Sequence, residues 1–272
     1  MRAAACCLTL LTATQPAAAD DLRSLARDFW SWRAVTQPMG RDDVNRVARP
    51  HGWVPDWSLE SIETRRRTLA LFEERLKTLA DPSRPVPWQV DRRLIGSALA
   101  RVHWELDVKR SWRRDPTFWV DQTVPVVVDA LLSPPPFEKE RSEDVAVRLE
   151  SIPRTLDQAR AALDEAAAPF AKLAIGDLTG IGAKLRASMA ALSPLLMPDA
   201  RGRVAPATGA AVAALESFRV WLEARLPLLP DRRPVGRDGY LFFLRNVALM
   251  PFTPEELLLM GRQEYERAVA LE

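Results

Sequence analysis

One stretch, Trp88 to Trp112, limits most strongly what this 272-residue chain can fold into. Apolar residues recur along it at helical spacing in two separate series. The first series is Ile95, Leu99, Val102 and Leu106, and the second is Trp104, Val108 and Trp112. A single apolar stripe is typical of a surface helix, whereas two stripes on different faces indicate a helix with neighbours on both sides. We therefore predict a central helix that runs to about Arg113.

Helical spacing also governs the chain before this stretch. Asp21–Val35 is predicted to be amphipathic, and Ser58 is a good N-cap for the next helix. That next helix carries an apolar stripe of Ile62, Leu69, Phe72, Leu76 and Leu79. Between the two helices, Thr36–Trp57 is a long loop rich in proline and glycine. Loops of this length are usually functional or packed by their own side chains.

After Arg113, caps and prolines divide the chain into further helices. Asp115-Pro116 predicts a helix start, and the apolar segment up to Leu132 is predicted to be a buried helix broken near Pro125. A strand is the less favoured interpretation because no other run offers a partner. Four more helices are predicted at Phe137–Glu150, Pro153–Ala167, Phe170–Leu192 and Pro206–Leu226, with a surface loop at Pro194–Pro206. The predicted fold class is an all-α multi-helix bundle or array with long Pro/Gly-rich loops.

The C-terminal region has a linker followed by a capped helix. Pro227–Gly239 is the best candidate linker, and Thr253 with Glu256 forms a capping box for the last helix. That helix meets no glycine, asparagine or proline stop signal, which indicates a longer parent protein. The predicted layout is a signal peptide at 1–19, a helical domain at 20–230, and a linker plus the start of a truncated C-terminal region at 231–272.

The N-terminus has the pattern of a secretory signal peptide. Arg2 precedes a short apolar core at Ala3–Ala13, and Ala17-Ala18-Ala19 forms a small-residue cleavage site before Asp20. A lipoprotein signal at Cys6 or Cys7 is the less favoured alternative because almost no apolar run precedes these cysteines. The protein is therefore predicted to be exported, either periplasmic or secreted. Its mature form would contain no cysteine and, after signal cleavage, no membrane segment.

Charge patterning excludes a nucleic-acid partner. The formal net charge is +2, and acidic and basic residues are interspersed along the chain without forming a basic stripe. One basic cluster stands out, at Arg65-Arg66-Arg67. We interpret it as a solvated helix face rather than a phosphate site. The oligomeric state cannot be predicted.

No motif for catalysis or metal binding occurs in the chain. There is no His-Glu-x-x-His sequence, no Gly-x-Ser-x-Gly elbow and no phosphate loop. His103 and Glu105 are two residues apart, so on a helix they point in nearly opposite directions, whereas His103 and Asp107 are close enough to share a site. No catalytic or metal-ligating residue and no cofactor is therefore predicted here. Most of the tryptophans are predicted to be core, with Trp53 and Trp57 the better groove candidates because they lie in a loop.

Six short segments, taken in order, resemble a bacterial family known as domain of unknown function 885 (DUF885). They are Asp28–Arg33, Gly52–Trp57, Trp104–Val108, Ser151–Leu156, Pro234–Gly236 and Thr253–Leu257. The resemblance implies an exported, mainly helical protein similar to gluzincin-type zinc metallopeptidases. It also implies that the His-Glu zinc motif lies in a C-terminal half that this chain lacks, so that zinc is expected only in the full-length parent. No catalytic residue can be carried over.

Two hypotheses about function remain open. In the first, the chain is the N-terminal wall of a substrate cleft and is not catalytic alone. A peptide or small-molecule substrate would then be held together with the missing C-terminal half, with contacts from Trp53, Trp57, His103, Glu105 and Asp107. In the second, the chain is a complete periplasmic helical module that binds or scaffolds a peptide or protein partner.

Overall fold

The computed structural model describes residues 17–40, 47–232 and 234–271. Within these ranges every regular element is a helix and no strand occurs, which confirms the predicted all-α, multi-helix fold. The α-helices are α1 (Ala17–Thr36), α2 (Leu59–Thr78), α3 (Val86–His103), α4 (Ser111–Arg114), α5 (Pro116–Asp121), α6 (Val124–Asp129), α7 (Lys139–Ala162), α8 (Ala168–Leu178), α9 (Ile181–Leu192), α10 (Pro198–Arg225), α11 (Gly236–Phe242) and α12 (Pro254–Leu271). Two π-helices cover Trp104–Lys109 and Phe243–Val247, and two short 3₁₀ turns cover Ser193–Leu195 and Leu226–Leu228.

The core is centred on the long helices α7 and α10, which form the most extensive helix pairing. Leu149, Ile152 and Leu156 of α7 are completely buried, as is Phe218 of α10. Burying a side chain of this size contributes about 1.5–3 kcal/mol each relative to exposure. Trp119 of α5 is also fully buried and belongs to the same continuous cluster.

The predicted central helix is correct only as far as His103. The chain then becomes π-helical, and Arg110 has a left-handed backbone with φ 50° before α4 begins. Indole groups satisfy carbonyls near this break: Trp112 Nε1 donates to the Leu106 carbonyl at 3.0 Å, and Trp119 Nε1 donates to the Trp112 carbonyl at 2.9 Å. Buried tryptophans usually find such an acceptor for the indole N–H. The second apolar stripe therefore marks a buried segment but not an uninterrupted helix.

Three predicted helix boundaries in the second half are wrong. Pro153 lies inside a single helix, α7, because the buried residues on both sides of it pack on α10 and compensate for the lost hydrogen bond. The predicted loop Pro194–Pro206 is helical from Pro198 onward, since Ala200 and Val204 are buried on the same face as the rest of α10. The predicted helix Phe170–Leu192 is two helices, separated at Gly180, whose φ of +74° ends the helical geometry of α8.

Three predicted helix starts, those capped by Ser58, Asp115 and Thr253, are confirmed. Ser58 Oγ accepts from the backbone N–H of Ser61 at 3.2 Å, and Asp115 Oδ1 accepts from that of Thr117 at 2.9 Å. The capping box of α12 is complete, because the backbone N–H of Thr253 donates to Glu256 Oε2 at 2.7 Å and that of Glu256 donates to Thr253 Oγ1 at 3.2 Å. The predicted break near Pro125 falls between α5 and α6.

Helix α12 differs from the other long helices because none of its residues is buried. Its exposed apolar side chains are Leu258, Leu259, Met260, Tyr265, Val269 and Leu271. An ion pair between Arg237 and Glu255 connects its first turn to α11. No described helix combines the length and apolarity needed to cross a membrane. Residues 1–16 of the predicted signal peptide lie outside the described ranges.

The packing of α9 against α10 can be tested with two glycines, one in α9 and a control in the neighbouring helix α8. A Cβ at Gly182 in α9 would lie 2.8 Å from Val212 Cγ1 of α10, whereas a Cβ at Gly176 in α8 would meet nothing within 4 Å. We expect Gly182→Ala to lower the free energy of unfolding by about 1–3 kcal/mol through overpacking. Gly176→Ala should raise it by about 0.5–1 kcal/mol through helix propensity. Urea unfolding followed by circular dichroism measures both, and shifts of the same sign would contradict the α9–α10 packing.

Candidate functional site

A cleft of about 780 Å³ opens between residues 37–40 and 47–57, the first π-helix, the α5–α6 pair and the start of α9. Its volume falls within the range usual for small-molecule sites, about 300–1,000 Å³. Its wall is partly apolar, with Phe118, Val124 and Val128, and partly charged. The charged groups lining it are Arg49, Glu105, Lys109, Asp115, Asp121, Asp129 and Asp177.

A buried ion pair lies beneath the cleft. Arg33 Nη2 of α1 donates to Glu105 Oε1 of the first π-helix at 3.0 Å, and Arg33 is only 3 % exposed. Glu105 lines the cleft, and its other oxygen, Oε2, accepts no hydrogen bond from the described residues. A buried charge that loses its partner is costly, so this pair fixes the position of the π-helix relative to α1.

Arg65 of α2 is buried against the tryptophan that forms part of the cleft wall. Its guanidinium lies 4.0 Å from the centre of the Trp57 ring, and Nη2 donates to the Asp56 carbonyl at 2.6 Å. Burial lowers the pKa of Arg65 to about 10, with the nearby charge of Asp56 acting in the opposite direction. Its Nε and Nη1 atoms have no acceptor among the described residues. Trp57 also packs edge-on against Phe118, with ring centres 4.8 Å apart.

Arg49 and Arg148 lie near Arg33 and Arg65. We call these four residues the arginine cluster. Arg49 lies 4.1 Å from the Trp53 ring and donates to the Ala34 and Gln37 carbonyls at 3.0 and 2.6 Å. Burial lowers the pKa of Arg49 to about 10, with Asp129 raising it and other arginines lowering it further. Arg148 is 3 % exposed and donates to Val126 O at 3.0 Å and to Asp129 Oδ2 at 3.1 Å.

The balance of charge in the arginine cluster is positive. Arg33 and Arg148 each have a carboxylate partner, Glu105 and Asp129. Arg49 and Arg65 donate, among the described residues, only to backbone carbonyls. Arg65 also retains two unpartnered donors, Nε and Nη1. The described lining of the cleft itself is mainly acidic, with five carboxylates against Arg49 and Lys109, so the excess of positive charge lies behind the cleft wall.

The loop that forms one side of the cleft is held by side-chain amides. Gln158 of α7 donates from Nε2 to Asp56 Oδ1 at 2.9 Å and accepts the Trp57 backbone N–H at 3.0 Å. Gln122 contacts the other end, since it accepts the Met39 N–H at 2.9 Å and donates to the Met39 carbonyl at 2.7 Å. Burial alone would raise the pKa of Asp56, but hydrogen bonds from Ser58 and Gln158 outweigh it and lower that pKa.

The structure brings together some of the predicted site residues and separates others. Trp57 and Glu105 both line the cleft, and Trp53 is buried behind it, stacked on Arg49. His103 and Asp107 are not among the residues that line it. His103 Nδ1 lies 3.4 Å from Asp107 Oδ2, Asp107 Oδ1 accepts from Arg66 Nε at 2.8 Å, and the His103 ring packs on Phe242.

Sequence reasoning missed the arginine cluster. The interpretation of Arg65-Arg66-Arg67 as a solvated face is wrong for Arg65, which is only 6 % exposed, although Arg67 is exposed. The missed signal was the spacing of seven residues between Ile62 and Leu69 in the apolar stripe. Arg65 stands at the intermediate position, where the stripe would otherwise have an apolar residue. Arg33, four residues after Phe29, and Arg148, three after Val145, also continue apolar stripes.

The described residues do not fit a zinc site. Among residues 17–40, 47–232 and 234–271, no group of three His, Cys, Asp or Glu side chains is arranged to hold a metal ion. Structural and catalytic zinc sites need at least three such ligands from the protein. We therefore assign no metal chemistry to the described side chains.

The ion pair beneath the cleft can be tested against a surface pair on the same π-helix. Glu105→Ala leaves Arg33 buried without its carboxylate, and we expect a loss of about 3–5 kcal/mol in the free energy of unfolding. Asp107→Ala breaks a pair with both side chains about one-third exposed, and we expect a loss of no more than about 1 kcal/mol. Urea unfolding measures the free energy of unfolding of both variants. Arg33→Met combined with Glu105→Leu should recover much of the loss, and equal losses in the two single variants would contradict the assignment.

Comparison with solved structures identifies a similar fold. The chain is similar to a protein from Shewanella oneidensis that is described as a candidate lipoprotein of unknown function, with a TM-score of 0.68 and 15% sequence identity. The match covers 93% of this chain and 46% of the other, so this chain spans about half the length of the protein it matches. At this identity, the likeness concerns the fold alone. No curated protein matches the chain significantly.

A family comparison agrees with the ordered segments noted in the sequence. The profile of the family described as "Bacterial protein of unknown function (DUF885)" matches residues 39–271, which is most of the chain and includes the first π-helix and all but two of the described residues that line the cleft. The chain belongs to the DUF885 family.

Proposed function

We propose that this chain is the N-terminal, substrate-binding part of an exported zinc metallopeptidase of the DUF885 family, and that it is not catalytic alone. In this proposal the zinc ligands and the general base belong to a C-terminal half of the parent protein. Zinc in such enzymes activates a water molecule for hydrolysis. Family membership supports the proposal, as does the length of the Shewanella protein, of which this chain matches 46%.

Helix α12 is the observation that carries the two-part arrangement. It runs for 18 residues without one buried side chain while exposing leucine, methionine, tyrosine and valine. Helices in proteins take most of their stability from packing an apolar face on a neighbour. A C-terminal half packed on α12 would provide that neighbour and would place its catalytic groups against this chain.

The cleft is the part of this chain that we propose contacts the substrate. Trp57 and Phe118 provide aromatic surface, and Glu105 and Lys109 provide groups of opposite charge. A peptide or small molecule offers both apolar side chains and charged or carbonyl groups to such a wall. Trp53 supports it from behind, while His103 and Asp107 would contact substrate only through a surface outside the cleft.

Export and domain layout are further parts of the proposal. The signal-like N-terminus and the lipoprotein description of the Shewanella protein both support export, to the periplasm or beyond. We propose cleavage after Ala19, a helical domain over 20–230, and a linker with the beginning of the C-terminal region over 231–272. N-terminal sequencing of the exported protein would find Asp20 first, and an intact Met1 would contradict cleavage.

A self-contained binding or scaffold module is the alternative. It is favoured by the continuous core that α1–α10 form from this chain's own residues. Under this alternative the parent gene carries no zinc motif, and the cleft serves a partner rather than a hydrolytic reaction. The sequence and activity of the full-length parent distinguish the two functions.

A bulky substitution at the edge of the cleft tests the proposed function in the full-length parent. Val128 is exposed and lines the cleft, whereas Val220 of α10 is similarly exposed and lies outside it. We expect the parent to contain a His-Glu zinc motif after residue 272, to bind zinc and to hydrolyse peptides. Val128→Trp should raise the KM at least about tenfold, equivalent to about 1.4 kcal/mol, and Val220→Trp should leave it unchanged.

Two results would contradict the proposal. One is a parent sequence without a His-Glu zinc motif, which favours the binding module. The other is a zinc-dependent peptidase whose KM responds equally to both tryptophan substitutions, which would remove the cleft from substrate binding.

A further inference from the structure

A second pocket, of about 600 Å³, lies on a different part of the molecule. It is formed by the end of α2, the turn after it, α3 and the second π-helix. Among the described residues, none lines both this pocket and the cleft. Its charged and larger apolar side chains include Asp81, Trp88, Arg92, Arg93, Arg245 and Leu249, all within the described ranges.

The charged groups of this pocket are mainly cationic. Arg92, Arg93 and Arg245 line it, and Asp81 is the one acidic residue in its described lining. Asp81 is already engaged, since its Oδ1 accepts the Ser83 N–H at 3.0 Å and its Oδ2 lies 3.3 Å from Arg84 Nε. Because this carboxylate is occupied, the pocket retains an excess of positive charge.

The three arginines lack carboxylate partners within the described residues. Arg92 donates from Nη2 to the Leu76 carbonyl at 3.2 Å, which holds its guanidinium at the end of α2. Arg93 and Arg245 are exposed, and neither forms an ion pair in the described part of the chain. Several other exposed or half-buried arginines of this protein are paired, as Arg219 is with Glu216 and Glu223.

A strained residue at the edge of the pocket is an independent indication of a site. Leu249 has φ 51°, a left-handed conformation that is rare for a bulky side chain. It follows the second π-helix, and the next N–H, of Met250, donates to the Leu244 carbonyl at 2.7 Å. Strained backbone and π-helices both occur preferentially at functional sites.

We propose that this second pocket, which we call the arginine pocket, binds the phosphate group of a ligand. A ligand with one carboxylate would bring a single negative charge to these three guanidinium groups. A phosphate monoester would bring about −1.5 to −2 charges and three acceptor oxygens, so it balances them better. Arginine presents paired donors that match phosphate oxygens. Trp88 and Leu249 add apolar surface for the remainder of the ligand. This site is separate from the cleft and independent of its proposed function.

Calorimetric titration of the purified chain with inorganic phosphate and with pyrophosphate tests the proposal. We expect saturable binding at low ionic strength that weakens as salt is added. Arg93→Ala combined with Arg245→Ala should weaken it at least about a hundredfold, because each charge-assisted hydrogen bond to phosphate accounts for about tenfold in affinity. The control is Arg186→Ala combined with Arg262→Ala, which removes two exposed arginines outside the pocket and should leave the affinity unchanged.

The source of the phosphate is resolved by a second titration. Vesicles of phosphatidylcholine, with and without phosphatidic acid, test the lipid source, because the headgroup of phosphatidic acid is a phosphate monoester. Binding to the anionic vesicles that is abolished in the Arg93/Arg245 variant identifies a lipid, and binding to soluble phosphate alone identifies a free ligand. The absence of binding in both titrations, or an equal loss of affinity in the two double variants, would overturn the proposal.

Discussion

Buried arginines are the constraint on which the shape of the cleft depends. A guanidinium in the interior must find acceptors where it lies, because leaving it unpaired costs several kcal/mol. In this protein the acceptors are the Glu105 and Asp129 carboxylates and the backbone carbonyls of Ala34, Gln37, Asp56 and Val126. Arg49 is therefore held against the end of α1, and Asp56 is held against α2. The rings of Trp53 and Trp57 pack against the guanidinium groups of Arg49 and Arg65.

The first π-helix presents two carboxylates, Glu105 and Asp107, on different sides of the molecule. Glu105 contacts Arg33 under the cleft, while Asp107, two residues later, contacts Arg66 and His103 outside it. The helix ends at Arg110, whose left-handed backbone redirects the chain into α4. Nearby, buried indole N–H groups bind the Leu106 and Trp112 carbonyls. The second π-helix is likewise followed by a left-handed residue, Leu249, which lines the arginine pocket.

Periodicity and caps were sufficient to predict the helical class and most helix starts. The stripe Ile95–Leu106 is buried, and Ser58, Asp115 and Thr253 all cap as predicted. Prolines were the main source of error, because a proline stops an isolated helix but is tolerated where both flanks are packed, as at Pro153. The cleft itself could not be predicted, since it needs the pairing of α1 with residues about 70 positions away. A buried arginine also looks like a surface residue unless its place in an apolar stripe is noticed.

We propose one explanation for both the exposed face of α12 and the open cleft. In this proposal, further polypeptide of the same protein covers α12 and completes the cleft. Hydrogen exchange of backbone amides, measured on this chain alone and on the full-length parent, tests this claim most directly. We expect Pro254–Leu271 to exchange rapidly in the chain alone and far more slowly in the parent, while α7 exchanges slowly in both. Equal exchange along α12 in the two proteins would contradict it.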